Sequence, residues 1–128
     1  MKIVPSEKYS LIREQIEEFQ DEYPKSWQAI SAKATALQEQ LCQMAEEVPE
    51  AELKPGHRYG LLTFHMGTSV YSRRTDKWLW FHGDIVIEMW IWTGMSENWE
   101  GVFYCQGTGS TSISSNPAGH RNALIEIP

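Results

Sequence analysis

The apolar residues of this 128-residue chain change their period once, near Pro55, and that change limits the fold more than any other feature. Before it they recur every three or four residues; after it they alternate. Tyr9, Ile12, Ile16, Phe19 and Tyr23 form one stripe, with the period of a helix that buries a single face. Trp27, Ile30, Ala34, Leu37, Leu41, Met44 and Val48 form a second stripe, and alanines at 29, 32, 34 and 36 favour helix there. Ser6 suits an N-cap, and Glu7 falls in the first turn, where the helix dipole favours an anion. Pro24 lies between the stripes, where the apolar phase also slips. Proline disfavours helical geometry in the residue before it and suits the first turn of a new helix. The pattern predicts two helices, 7–22 and 25–48, with Trp27 in the core. One long kinked helix, which would need a coiled-coil partner, is the alternative.

After Pro55-Gly56 the helical period is lost and strand patterns take over at 58–66, 69–72, 78–81, 85–92, 102–106 and 123–127. Arg73 to Lys77 reads as a charged turn, and His82-Gly83-Asp84 as a short connection that would pair 78–81 with 85–92. The Gly/Ser/Thr segment 107–119 reads as a long loop. It lacks the Gly-Lys-Ser/Thr ending of a phosphate loop and the third glycine of a dinucleotide fingerprint. Helices first and strands afterwards give an α+β domain, with the helical pair (1–54) packed on an antiparallel sheet of four to five strands (55–128).

Strand 85–92 alternates cleanly. Ile85, Ile87, Met89 and Ile91 would face the helices; Val86, Glu88, Trp90 and Trp92 would point away. Trp78 and Trp80 alternate in the same way. If the two strands pair, Trp78, Trp80, Trp90 and Trp92 share one face around Glu88, a face that a loop, a second copy or a partner must cover. Aromatic cross-strand pairs stabilise sheets, and tryptophan is also enriched at binding hot spots. A carboxylate among aromatics has the surroundings that raise a pKa, which makes Glu88 and the adjacent turn residue His82 the catalytic candidates. Arg73, Arg74 and Arg121 are the cationic binding candidates.

The net charge of −6 disfavours direct nucleic-acid binding, which rests on neutralising phosphates with Lys and Arg. Residues 1–54 hold six basic and eleven acidic side chains, a net of −5. Clustered carboxylates such as Glu14, Glu17, Glu18, Asp21, Glu22, Glu46, Glu47, Glu50 and Glu52 form a solvated face, or else one that steers a basic partner. No apolar run approaches the roughly 20 residues of a membrane-spanning helix, and the N-terminus has no extended apolar h-region, so a cytoplasmic setting is expected. Cys42 and Cys105 read as buried reduced thiols. Neither they nor the four histidines have metal-ligand spacing, so no metal or cofactor is expected.

Together these features read as a small acidic interaction protein, of inhibitor or immunity type. It would hold a protein partner through its aromatic strand face or its acidic helical face, and form homo-oligomers. Two alternatives stay open. One is a ligand-binding protein or enzyme with an aromatic pocket centred on Glu88. The other is a structural subunit assembled through the helical heptads.

Overall fold

In a computed structural model of the chain, residues 1–22, 25–65, 67–81, 83–98, 100–107 and 110–128 are described. The two apolar stripes become two helices, α1 (Ser6–Asp21) and α2 (Trp27–Met44). Glu22 and Ser26 have extended backbone, so the long kinked helix does not form. Ser26 caps α2 by accepting from the Ala29 amide at 3.2 Å. Ser6 is the first residue of α1 rather than its cap; Pro5 holds the cap position without a side-chain hydrogen bond. Ile12, Ile16 and Phe19 of α1, and Ile30, Ala34, Leu37 and Leu41 of α2, are buried as the spacing requires. Trp27 is not: it begins α2, one turn before the first buried position, and is 56% exposed.

Helix α2 also stops earlier than expected. Ala45 turns extended, and Glu46–Glu47 becomes a short strand, β2, paired with a first strand β1 (Lys2–Val4). The remaining strands are β3 (Arg58–His65), β4 (Thr68–Ser72), β5 (Lys77–Phe81), β6 (Asp84–Trp92), β7 (Phe103–Gly107), β8 (Ser110–Ser114) and β9 (Leu124–Ile127). Among the described residues, seven of them form one sheet in the order β2-β1-β9-β3-β6-β7-β8, and β4 with β5 forms a second. The fold is α+β with the helical pair on the sheet, as the patterns indicated. The sheet is larger than expected, and it is mixed, because β1 and β9 run parallel. The segment 107–119 is not simply a loop, because β8 lies within it and pairs with β7.

The expected pairing of 78–81 with 85–92 does not occur. Strand β6 pairs with β3 and β7, whereas β5 pairs with β4. The turn that reverses the chain is 73–76, where Asp76 takes a positive φ of 55°. His65 opposes Asp84 and Thr68 opposes Phe81, so the β4–β5 ladder keeps the register of the β3–β6 ladder. The β4–β5 pair is a two-stranded arm, separate from the main sheet.

The sheet has a core on each face. Leu62, Ile85 and Ile125 pack with the buried stripes of α1 and α2, and Ile87 and Phe64 pack against them, as the alternation of β6 demanded. On the other face Tyr59, Trp90, Trp92, Phe103 and Leu124 pack with Ile3, Leu53 and Ala118. That second core is closed by the segment after β2 and by the turn before β9.

Candidate functional site

The structure separates the four strand tryptophans. Trp90 and Trp92 are 8% and 1% exposed, and belong to the second core. Trp92 lies 4.8 Å from Phe103 between ring centroids, and Phe103 meets Tyr59 edge-on at 5.8 Å. The face is therefore covered from within the chain by Leu53 and Ala118. Trp78 is on the arm and is 71% exposed. Trp80 is also on the arm, opposite Ser69; its side chain lies outside the described ones, as do His82 and Trp99 altogether. The single four-tryptophan face fails because β5 pairs upstream with β4, which places Trp78 in a pair apart from the main sheet.

Glu88 shares its face with Trp90 but is only half-buried, and it takes part in none of the ion pairs among the described residues. Arg73 and Arg74 lie in the turn between β4 and β5, a pair apart from the sheet that holds Glu88. Arg121 lines a cleft of about 610 Å³ along α2 with Thr35, Gln38 and Cys42. The candidate charged residues are thus not brought together. Among the described residues no group of three metal-ligating side chains converges, and no helix is long and apolar enough to cross a membrane. The Trp90 indole N–H is buried without a partner among the described residues, at an ordinary cost of about 1–3 kcal/mol.

Glu88 does act on one neighbour. Burial, and then the negative charge of Glu88, pushes the Cys105 thiol above its usual range. Alkylation of Cys105 at mildly alkaline pH is therefore expected to be slow, because less thiolate is present. Glu88→Gln should speed it a few-fold. Mass spectrometry of iodoacetamide-treated protein reads this directly, and an unchanged rate would show that the carboxylate does not reach the thiol.

The arm is the exposed aromatic feature. Tyr71 and Trp78 face each other across the ladder, with ring centroids 5.6 Å apart and planes inclined at 60°. Tyr71, Trp78 and Leu79 are 44%, 71% and 43% exposed. The Tyr71 hydroxyl donates to Asp76, which ties the turn to the strand. Arg73, Arg74 and Lys77 surround that turn and are exposed. An isolated two-stranded hairpin is marginal in water, and among the described residues no further strand pairs with this one.

A second open feature lies at the other end of β6. The helices pack over β1, β9, β3 and β6, and β7 and β8 extend past them. Ile91, Tyr104 and Ile113 are in direct register on the helical side of the sheet, with Ile113 69% exposed. Beside them a cleft of about 410 Å³ opens between α1 and the sheet, walled by Tyr9, Arg13, Ile16, Glu17, Met89 and Ile127 among others. Burial pushes the Tyr9 phenol upward, Arg13 opposes the shift and Glu17 adds to it. Nothing in the residue pattern marks this cleft, because alternation assigns Met89 to the face the helices cover, whereas it is 40% exposed. Comparison with family models, curated proteins and solved structures yields no match for this chain.

Proposed function

We propose that this chain is a non-enzymatic protein-interaction module that docks through its β4–β5 arm. The observation that carries the reading is Trp78: a large aromatic, 71% exposed, edge-on to Tyr71 on a two-stranded arm. Exposed apolar surface of this kind is costly to leave in water, and tryptophan, tyrosine and arginine are the residues that dominate binding energy at interfaces. Arg73, Arg74 and Lys77 around the same turn favour a partner that sets an apolar groove within an acidic rim. An acidic inhibitor or immunity protein using its carboxylate face is the weaker reading, since those carboxylates are dispersed over exposed positions of α1, β2 and the turn after it.

The arm can be tested without disturbing the fold, because Tyr71 and Trp78 are exposed and belong to neither core. Trp78→Ser and Tyr71→Ser should change unfolding free energy by less than about 0.5 kcal/mol, the ordinary range for exposed sites. They should also abolish association with any protein that the wild-type chain retains. In the wild type, iodide should quench Trp78 freely, and bound partner should remove that quenching. A chain that keeps every association after both substitutions would refute the arm as the docking element.

A further inference from the structure

We infer that the cleft between α1 and the sheet binds a small uncharged amphiphile, a molecule with an apolar body and one hydroxyl or carbonyl group. This goes beyond the arm and does not depend on it.

Both walls of the cleft follow from the sequence. On α1, Tyr9, Arg13, Ile16 and Glu17 recur at helical spacing and so share one side of the helix. On the sheet, Ile87 and Met89 of β6 and Ile127 of β9 complete the lining. Strand β3 runs between β6 and β9, and the residue it places opposite Met89 is Gly60. A Cβ at position 60 would lie 2.7 Å from Ile87 and 3.3 Å from Ile127. With no side chain there, both isoleucines settle low across β3. Glycine inside a strand packs nothing of its own and weakens the strand, and its presence marks a close approach. Here that approach gives a cleft of about 410 Å³ its apolar floor. The cleft along α2 is lined instead by Thr35, Gln38, Glu39 and Arg121 among others.

Size and floor specify the body of the ligand. Small-molecule sites are concave, largely apolar and roughly 300–1,000 Å³, with a few polar groups that orient what binds. Met89, 40% exposed in the middle of β6, is apolar surface that such a ligand would take out of water. The mouth specifies the polar end. Arg13 Nε lies 3.0 Å from Glu17, and the two charges beside Tyr9 cancel. A ligand of either charge would lose to one member of that pair what it gains from the other. The Tyr9 hydroxyl enters none of the hydrogen bonds among the described residues, and burial keeps its phenol protonated. It is placed to donate to a hydroxyl or carbonyl oxygen, which fixes the polar end of the ligand at the mouth.

Titration of the full chain with n-octanol, followed by NMR of the side-chain methyls, tests this. The methyls of Met89, Ile16, Ile87 and Ile127 should shift together and saturate, with a Kd of about 1 mM or below. Octanoate and octylammonium should bind at least about tenfold more weakly. Tyr9→Phe should weaken octanol binding about three- to tenfold through the lost donor. Met89→Glu, which sets a charge in the floor, should weaken it by at least about tenfold. Circular dichroism confirms that both variants are folded. Shifts that do not saturate, or that are as large at exposed Ile113, would mean indiscriminate partition and overturn the site. Octanoate or octylammonium binding as tightly as octanol would overturn the uncharged class. Wild-type affinity in Tyr9→Phe would overturn the assigned donor. If the cleft stays empty while association still depends on Trp78, this inference alone falls.

Discussion

Trp92→Ala is expected to lower the unfolding free energy by about 3–5 kcal/mol, the range for removing a large buried aromatic. Trp92 is 1% exposed and packs on Phe103 within the second core. Its backbone also holds the closing segment, since its carbonyl accepts from Gly56 N–H at 2.7 Å and its amide donates to His57 at 3.2 Å. Gly101 is the counterpart of this packing. A Cβ there would press against the six-membered ring of Trp92, closer than real contacts allow. Gly101→Ala should therefore cost about 1–3 kcal/mol through overpacking. The two effects share one cause, so they should not add. In the Trp92→Ala background only the Gly94 carbonyl, 3.0 Å away, still crowds a Cβ there, so Gly101→Ala should cost less, which gives a coupling of about 1–2 kcal/mol in a double-mutant cycle. Urea unfolding of the four chains measures it. Additive costs would mean that residue 101 is glycine for some reason other than the indole beside it.

That cycle also shows where a sequence reading stops. The alternation of β6 correctly sent Ile85 and Ile87 to the helices and Trp90 and Trp92 to the opposite side, because alternation is a local property of an extended backbone. It could not say which strand lies alongside. Both 73–77 and 82–84 read as turns, and letting the second pair 78–81 with 85–92 puts all four tryptophans around Glu88. The first turn sets the pairing, because β4 and β5 then keep the register of the β3–β6 ladder. Strand β1 was missed because a three-residue strand carries too little pattern. It is held by its neighbours, pairing with β9 from the far end of the chain. Strand β8 was missed because Ser110–Ser114 is polar and lies at the sheet edge, where little apolar surface is demanded. Trp27 misled because a stripe specifies the buried face of a helix and not where along its length the cover ends. Of the candidate site, Trp78, Arg73 and Arg74 were legible as residue types, but their gathering on one arm depends on the pairing.

Lys25→Met is the other substitution with a large expected effect, about 2–4 kcal/mol of lost stability. Sequence spacing had put Lys25 at the start of α2. Instead it lies just before the helix, with its side chain only 6% exposed. Its ammonium donates to the carbonyls of Phe19 at 2.9 Å and Gln20 at 3.2 Å, and to the Asp84 carboxylate at 2.7 Å. It also lies 4.8 Å from the Phe19 ring centroid. One cation thus adds a donor to the last carbonyls of α1, complements the negative end of the helix dipole and ties the helix to the first residue of β6. Methionine fills the volume but donates nothing, so the buried end of α1 loses its cation, although the Phe19 carbonyl keeps the Glu22 amide and Asp84 keeps the Ile85 amide. Asp84→Asn should cost less. Lys25 keeps both carbonyls in that variant, and Asp84 is 32% exposed, so water replaces part of what is lost. Lys25→Arg should fall between, because a planar fork cannot reach three acceptors set around a point. Thermal and urea unfolding rank the three. If Asp84→Asn cost as much as Lys25→Met, the ion pair alone would carry the effect, and the helix-capping role of Lys25 would be refuted.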